Sequence, residues 1–215
     1  HAASRRMHQH VVPGAEADLD VLLTMDPTHV DGRVLRGIVR EERGDLPGAL
    51  ADLDAALLER ADSPLALRAR AEVRSLQGDH LGALADLDAA LRFRPKDAKS
   101  LMNRGKVKMD VGDLPSAFAD LDAAVAIAPE EAHGFTLRAD VRRALGDVDG
   151  ALRDYAECLR LAPKHGDALN NRAMLWHAIG DDVRALADLE TSLAQRPGDA
   201  SALTNRGMIR SSIAG

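Results

Sequence analysis

Pairs of acidic residues separated by one position are the commonest chemistry-bearing pattern in this sequence. Asp52 and Asp54 form one such pair, and the pair returns twice at intervals of 34 residues. Two neighbouring carboxylates could act as general acid and general base, but several identical active sites in one chain would be unusual. The repetition therefore favours carboxylates that are solvated or that hold arginines in place.

The other residue types that could do chemistry are scattered. The chain has one cysteine, Cys158, and eight histidines that lack the spacing of a metal site. Its glycines recur at a fixed interval and form no phosphate-binding loop, and nothing marks a nucleophile turn. We therefore predict no enzymatic activity, no catalytic residue, no metal and no cofactor, and we interpret Cys158 as a buried, inert thiol.

One arginine and one aspartate recur at fixed positions along the chain. Stacked like charges are unfavourable unless carboxylates lie opposite them, and a planar guanidinium can bridge two helices. We therefore predict a structural ladder formed by Arg36, Arg70, Arg104, Arg138, Arg172 and Arg206 with Asp52, Asp86, Asp120, Asp154 and Asp188, preceded by Asp18 one period earlier. The alternative is a row of arginines that binds an acidic or phosphorylated ligand.

A recurring Gly-Asp pair marks the elements that must position these side chains. It first occurs at Gly44-Asp45 and returns four times in constant register, at 78, 112, 146 and 180. Glycine can adopt the left-handed conformation that closes one helix, and aspartate can cap the start of the next. Other positions, such as that of Gly37, stay small in every period, so that two antiparallel helices can pack closely. A fixed period of this length is typical of stacked helical repeats.

These features resemble the tetratricopeptide repeat (TPR) family, whose unit is a 34-residue helix–turn–helix. The small positions, the glycine of the turn and the proline that closes most units, such as Pro95, match that family's pattern over roughly residues 10–213. The resemblance implies an all-α fold, an α–α superhelix in which antiparallel helix pairs stack into a right-handed solenoid.

The period also predicts the boundaries of the repeats. We expect one solenoid over 13–215, with the second helix of a partial repeat at 13–27, full repeats at 30–63, 64–97, 98–131, 132–165 and 166–199, and a partial repeat at 200–213. Pro13 is expected in the first turn of its helix. Residues 1–12 are expected to be a partly degenerate helix or a remnant foreign to the native protein.

The last predicted helix, 200–213, is followed by no second helix. We therefore expect Ile209 and Ile213 to face the position that such a helix would occupy. Either the native chain continues past Gly215, or this end associates with another molecule.

Composition excludes several classes of function. The net charge of -6 argues against a nucleic-acid groove, because such domains usually carry a basic stripe. No apolar run approaches the ~20 residues that span a membrane. A single cysteine cannot form an internal disulfide, which fits a reducing compartment, and we predict a cytoplasmic location.

The TPR resemblance implies a concave groove, lined by the first helices of the repeats, that binds a peptide segment of a protein partner. Carrying the groove positions over predicts the binding residues Arg68, Lys99, Met102, Asn103, Lys106, Arg143, Asn170, Asn171, Met174, His177, Asn205 and Met208. Asparagine offers a donor and an acceptor to a peptide backbone, and methionine adapts to varied apolar partners. The leading hypothesis is a non-catalytic adaptor or scaffold.

Two alternatives remain open. The chain could be a self-assembling scaffold, a homo-oligomer formed through uncapped solenoid ends. It could also be a TPR fragment of a larger protein that carries a separate functional domain.

Overall fold

The computed structural model describes residues 2–214, with side chains from Gly14 to Ile213, and these residues form helices joined by short turns. No β-strand occurs within 2–214, so the predicted all-α fold class is confirmed. The chain divides into two compact units, unit 1 at His1–Gly112 and unit 2 at Asp113–Gly215.

Each unit contains six helices among its described residues. Those of unit 1 are α1 (Ala2–Met25), α2 (Val30–Glu42), α3 (Leu46–Glu59), α4 (Pro64–Leu76), α5 (His80–Phe93) and α6 (Ala98–Asp110). Those of unit 2 are α7 (Leu114–Ile127), α8 (Ala132–Ala144), α9 (Val148–Leu161), α10 (Gly166–Ala178), α11 (Asp182–Gln195) and α12 (Ala200–Ala214). Even-numbered helices are the first helices of helix pairs, and odd-numbered helices are the second helices.

The first helix of the chain differs from its prediction. It begins at Ala2 rather than at Pro13, so Pro13 lies inside the helix and not in its first turn. An internal proline removes one backbone donor without necessarily ending a helix. The prediction placed the start of the helix too late because it assumed that Pro13 must lie in the first turn. Residues 1–12 were expected to be a partly degenerate helix or a remnant. Their side chains, and that of Pro13, lie outside the part of the chain whose side chains the structure describes.

The turns between the helices of a pair are closed by the predicted Gly-Asp residues. Gly44 has a φ of 82°, a conformation that L side chains rarely adopt. The next residue, Asp45, accepts a hydrogen bond on its carboxylate from the Gly48 backbone N–H at 3.0 Å and caps α3. The same features recur at Gly78, Gly112, Gly146 and Gly180 and at the aspartates that follow them. The prediction for these turns is confirmed.

Small residues let the two helices of a pair approach each other. A Cβ atom added at Gly37 would lie 2.8 Å from Leu53 Cγ, so the α2 backbone packs directly on that side chain. Leu53 and Leu87 in unit 1, and Tyr155 and Leu189 in unit 2, are fully buried at this layer. Burial of such side chains is the main source of stability in a fold of this kind.

Within each unit the first helices form a contiguous layer. Neighbouring first helices touch, α2 with α4 and α4 with α6 in unit 1, and α8 with α10 and α10 with α12 in unit 2. Among the described residues, α3 and α5 do not touch, nor do α9 and α11. Each unit is therefore curved with its first helices on the inner side. We call the side chains on this inner side the first-helix face.

The expectation for Ile209 is wrong. Ile209 is fully buried and packs with Ala173 and Leu189, whereas Ile213 is 56% exposed. The residues one and two periods earlier, Leu175 and Val141, are also buried. This position of a first helix faces the preceding helix pair, so its burial requires no further helix.

Candidate functional site

The recurring arginines join the second helices of adjacent pairs. Arg36 on α2 binds the Asp52 carboxylate of α3 with two donors, Nε to Oδ2 at 2.8 Å and Nη2 to Oδ1 at 2.6 Å. Its third donor, Nη1, reaches Asp20 Oδ1 on α1 at 2.7 Å. Arg70 repeats this geometry with Asp86 and Asp54. One guanidinium thus links three helices.

A second arginine, one turn further along the first helix, shares the buried carboxylate. Arg40 Nη1 donates to Asp52 Oδ2 at 2.8 Å, and Arg142 makes the same bond to Asp154 at 2.7 Å. Asp52 and Asp154 are only 6% and 3% exposed. The hydrogen bond to Asp52 raises the pKa of Arg36, and the bond to Asp154 does the same for Arg138. Asp52 and Asp154 are therefore each neutralised by two cations.

The structure brings most of the predicted ladder residues together and adds one row. Arg36 reaches Asp20 and not Asp18, because the second aspartate of each Asp-Leu-Asp motif faces the next pair. The contacts across pairs are Arg36–Asp20, Arg70–Asp54, Arg104–Asp88 and Arg138–Asp122. Arg172 binds Asp188 within its own pair, and Asp120 is buried. Arg206 has no carboxylate partner among the side chains described from Gly14 to Ile213.

These bonds occupy the donors that an acidic ligand would need. Arg138 is typical, with its side chain 13% exposed and three of its nitrogens bound to carboxylates. The contacts favour the structural interpretation of the arginine row over the ligand-binding one. A site for a partner has to be sought on the first-helix face.

The predicted peptide-binding residues are divided between the two units and differ in accessibility. Met102 and Asn170 are 6% and 8% exposed, so little of either side chain reaches the surface. Three others have intramolecular partners: Arg68 with Asp97 at 3.1 Å, Asn171 with Asp140 at 2.9 Å, and His177 with Asp182 at 2.5 Å. The remaining seven are exposed or half-buried on the first helices: Lys99, Asn103, Lys106, Arg143, Met174, Asn205 and Met208.

The first-helix face of unit 1 carries a group of carboxylates. Burial raises the pKa of Glu41 on α2, and the neighbouring charges of Glu72 and Glu42 raise it further, while Lys106 on α6 lowers it. Glu41 is half-buried and forms no ion pair with any described side chain. This part of unit 1 is therefore negatively charged and incompletely neutralised.

The first-helix face of unit 2 contains a polar contact between three helices. Asp140 on α8 accepts hydrogen bonds on Oδ1 from the Tyr155 hydroxyl of α9 and from Asn171 Nδ2 of α10. Burial is the largest cause of the raised pKa of Asp140, and Asp167 also raises it, against Tyr155, Arg143 and Asn171. The residues predicted from the sequence included Asn171 and Arg143 but not Asp140 or Tyr155.

The described residues show no other site of evident chemistry. Between Gly14 and Ile213 no three potential ligands are grouped to hold a metal ion. Cys158 lies buried beside the Thr136 hydroxyl at 3.0 Å, and burial raises the pKa of its thiol, which lowers the reactive thiolate fraction. In the part of the chain that was described, no helix has the length and apolarity to cross a bilayer.

Solved structures share this fold. A subunit of the APC/C hetero-tetramer Cut9–Hcn1 matches with a TM-score of 0.85 and 17% identity over 92% of this chain, but this chain covers only 39% of that one. A TPR protein from Parabacteroides merdae matches at 0.76 and 20% identity, over 99% of this chain and 84% of its own. YrrB, described as a TPR protein with an unusual peptide-binding site, matches with a TM-score of 0.62 and 18% identity, over 88% of this chain and 97% of its own. Identities this low establish the fold alone.

Comparison with curated proteins gave no significant match. The tetratricopeptide repeat family model, by contrast, matches residues 34–98, 67–132 and 136–208. These segments cover most of the chain, and their repeat agrees with the glycine turns and stacked helix pairs described above. The chain therefore belongs to the tetratricopeptide repeat family.

Proposed function

We propose that this chain is a non-catalytic protein-interaction module that holds a peptide segment of a partner on its first-helix faces. Helical repeats of this kind offer extended inner surfaces suited to such ligands. We further propose a cytoplasmic location and an adaptor or scaffold role.

The placement of asparagine is the observation that carries this proposal. The chain has four asparagines, and all of them lie within first helices, at Asn103, Asn170, Asn171 and Asn205. Asparagine is a poor residue for a helix interior and is usually found at caps and turns. Its confinement to one kind of helix has no explanation in helix stability, whereas a side-chain amide can bind both groups of a peptide backbone.

The free polar groups support the same surface. Among the described side chains, those of Asn103 and Asn205 form no hydrogen bond within the protein. Met208, which is 45% exposed, adds an adaptable apolar surface on α12.

A structural neighbour is consistent with this proposal. YrrB has the same fold and is described as having a peptide-binding site. At 18% identity this similarity does not transfer a ligand, so the argument depends on the asparagines of this chain.

Selection from a random dodecapeptide library displayed on phage tests the proposal. We expect the chain to enrich related peptides, and synthetic copies to bind in fluorescence anisotropy. An asparagine-to-alanine variant, Asn103→Ala for peptides held by unit 1 or Asn205→Ala for peptides held by unit 2, should weaken binding several-fold, since one lost hydrogen bond contributes about 0.5–1.5 kcal/mol.

Gln77→Ala is the matched control, because Gln77 is an exposed side-chain amide at the C-terminal end of α4. It should bind like the parent chain. Failure to enrich any peptide, or equal losses in the asparagine variant and the control, would contradict the proposed function.

A further inference from the structure

We infer that Asp140 is a recognition site for a cationic side chain, lysine or arginine, of the peptide that binds unit 2. The inference rests on the proposed function and names the chemistry of its ligand. It comes from a comparison of all the buried and half-buried carboxylates that the structure describes.

Nearly every such carboxylate lies within ion-pair distance of an arginine, and Asp182 binds His177. Asp154 receives two guanidiniums, Asp188 receives one, and Asp97 binds Arg68. In the described part of the chain only Asp140 and Glu41 are half-buried and form no ion pair. Both lie on first-helix faces. Elsewhere the protein neutralises its buried acids, so these two exceptions point to charge supplied from outside.

Asp140 is the better formed of the two sites. Its donors, the Tyr155 hydroxyl and the Asn171 amide, are neutral and both bind Oδ1, which fixes the carboxylate between α9 and α10. No described side chain donates to Oδ2. Tyr155 is fully buried, so its hydroxyl is held rigidly. These positioning residues leave one carboxylate oxygen free to accept a hydrogen bond from a ligand.

The surrounding charges favour a cation over a neutral donor. Asp167 adds negative charge, and burial disfavours the ionised carboxylate when no counter-charge is present. Arg143 on the same helix lies near enough to act electrostatically on Asp140, but it is exposed and forms no ion pair within the described residues. An incoming ammonium or guanidinium group would form a charge-assisted hydrogen bond, which is stronger than a neutral one. Met174 is half-buried and stands three residues after Asn171 on α10, which places it on the same face of the helix.

The experiment uses peptides selected by the full chain from the dodecapeptide library. Each lysine or arginine is replaced in turn by norleucine, which keeps an apolar chain and removes the charge. Affinities are measured by anisotropy for the parent chain and for Asp140→Asn, which retains the shape of the side chain. One replacement should weaken binding to the parent about 10- to 100-fold, and the same replacement should have little effect on Asp140→Asn. Lysine-to-arginine exchange in the peptide then distinguishes the two cations.

Two further variants keep the result interpretable. Asp149→Asn removes the same charge from an exposed position on α9, and it should preserve the full effect of norleucine. Arg143→Gln removes the competing cation and should tighten binding of the cationic peptide several-fold, a gain that misfolding cannot produce.

The possible outcomes separate the two proposals. Enrichment of peptides without lysine or arginine, or an equal norleucine effect in Asp140→Asn and the parent, overturns the role of Asp140 and leaves the proposed function standing. Enrichment of no peptide overturns both. Loss of the norleucine effect in Asp140→Asn alone, with the gain in Arg143→Gln, supports the assignment.

Discussion

The helix pairs α8–α9 and α10–α11 of unit 2 have the same recurring arginine but different surroundings for it. Arg138 binds Asp154 within its pair and Asp122 on the preceding helix, and Arg142 adds a second cation to Asp154. Among the described carboxylates, Arg172 binds Asp188 alone. The pair α8–α9 therefore contains an extended ionic network, whereas the pair α10–α11 contains a single bidentate contact.

Two substitutions in the repeat pattern account for the reduction. Ala156 stands one period after Asp122, so the preceding second helix offers Arg172 no carboxylate at the bridging position. Trp176 stands one period after Arg142. The Trp176 ring instead receives the Arg184 guanidinium at 4.7 Å from its centroid.

The contact between α8 and α10 lies on the first-helix face, where Asn171 donates to Asp140. The pairs α8–α9 and α10–α11 are thus joined by a polar contact on their inner side, although Arg172 makes no ionic contact with any described residue of α9. The comparison indicates that the face proposed to bind a ligand also contributes to the cohesion of unit 2.

The largest predicted effect concerns the buried carboxylates of the two pairs. Asp154→Ala leaves Arg138 and Arg142 without their shared partner and should lower the free energy of unfolding by about 3–5 kcal/mol, as expected when a buried ion pair loses one member. Asp188→Ala should cost less, because only Arg172 loses its partner. Urea unfolding followed by circular dichroism measures both.

The control for this pair of variants is Asp149→Ala, an exposed residue of α9 that should change stability by no more than about 0.5 kcal/mol. Equal losses for Asp154→Ala and Asp188→Ala would show that the second cation contributes nothing and would remove the distinction between the two pairs.

A smaller effect should follow from rebuilding the missing contact. Ala156→Asp places a carboxylate where Arg172 can reach it and should be more stable than Ala156→Asn by about 0.2–1 kcal/mol, the range of partly exposed ion pairs. The asparagine variant matches the shape and the helix propensity of aspartate, so the difference isolates the charge. Amide hydrogen exchange should show slower opening of α10 in Ala156→Asp. Identical exchange in both variants would mean that Arg172 cannot adopt the bridging geometry of Arg138.

The smallest effect is a dependence of stability on pH. The pKa of Asp140 is raised in the folded protein, so between the unfolded-state pKa and the folded-state pKa the folded state binds more protons, and stability falls as the pH rises through that window. Asp140→Asn should have a flatter profile there. Urea unfolding across the acidic range measures the slopes.

Burial acts to raise the pKa of Asp97, but the hydrogen bonds that it accepts from Ser100 and Arg68 and the charge of Arg68 together outweigh burial, so the pKa is lowered. Its contribution therefore has the opposite sign and is lost as the pH falls, so Asp97→Asn supplies the reference. A profile of Asp140→Asn as steep as that of the parent would show that the pKa of Asp140 does not change on folding, because its hydrogen bonds offset the effect of burial.

The sequence predicts the helix pairs well, because their determinants are local and repeated. Gly44 and Asp45 define a turn on their own, and Gly37 and Leu53 define a close packing of two helices. The expectation for Ile209 was wrong because it considered only a helix that would follow α12. The residue one period earlier, Leu175, is buried, and this equivalence predicts the burial of Ile209.

The Asp140 contact could not be predicted from the same rules. It joins three helices and depends on Tyr155, which replaces the leucine found at this position in the other second helices. A usable signal was present, since Tyr155, Ala156 and Cys158 depart from the repeat together within one turn of α9. Such clustered departures mark a change in packing, but the side-chain directions that bring Asp140 and Asn171 to the hydroxyl require the structure.

The bidentate contacts of the arginine ladder join residues only 16 positions apart, as in Arg36–Asp52 and Arg172–Asp188. The four hairpins α2–α3, α4–α5, α8–α9 and α10–α11 therefore contain their own charge partners, and closing them needs no distant segment. Contacts of such short sequence separation form quickly. During synthesis, each of these hairpins can acquire its internal ion pairs soon after it leaves the ribosome, which shortens the time that its apolar surface is exposed to aggregation.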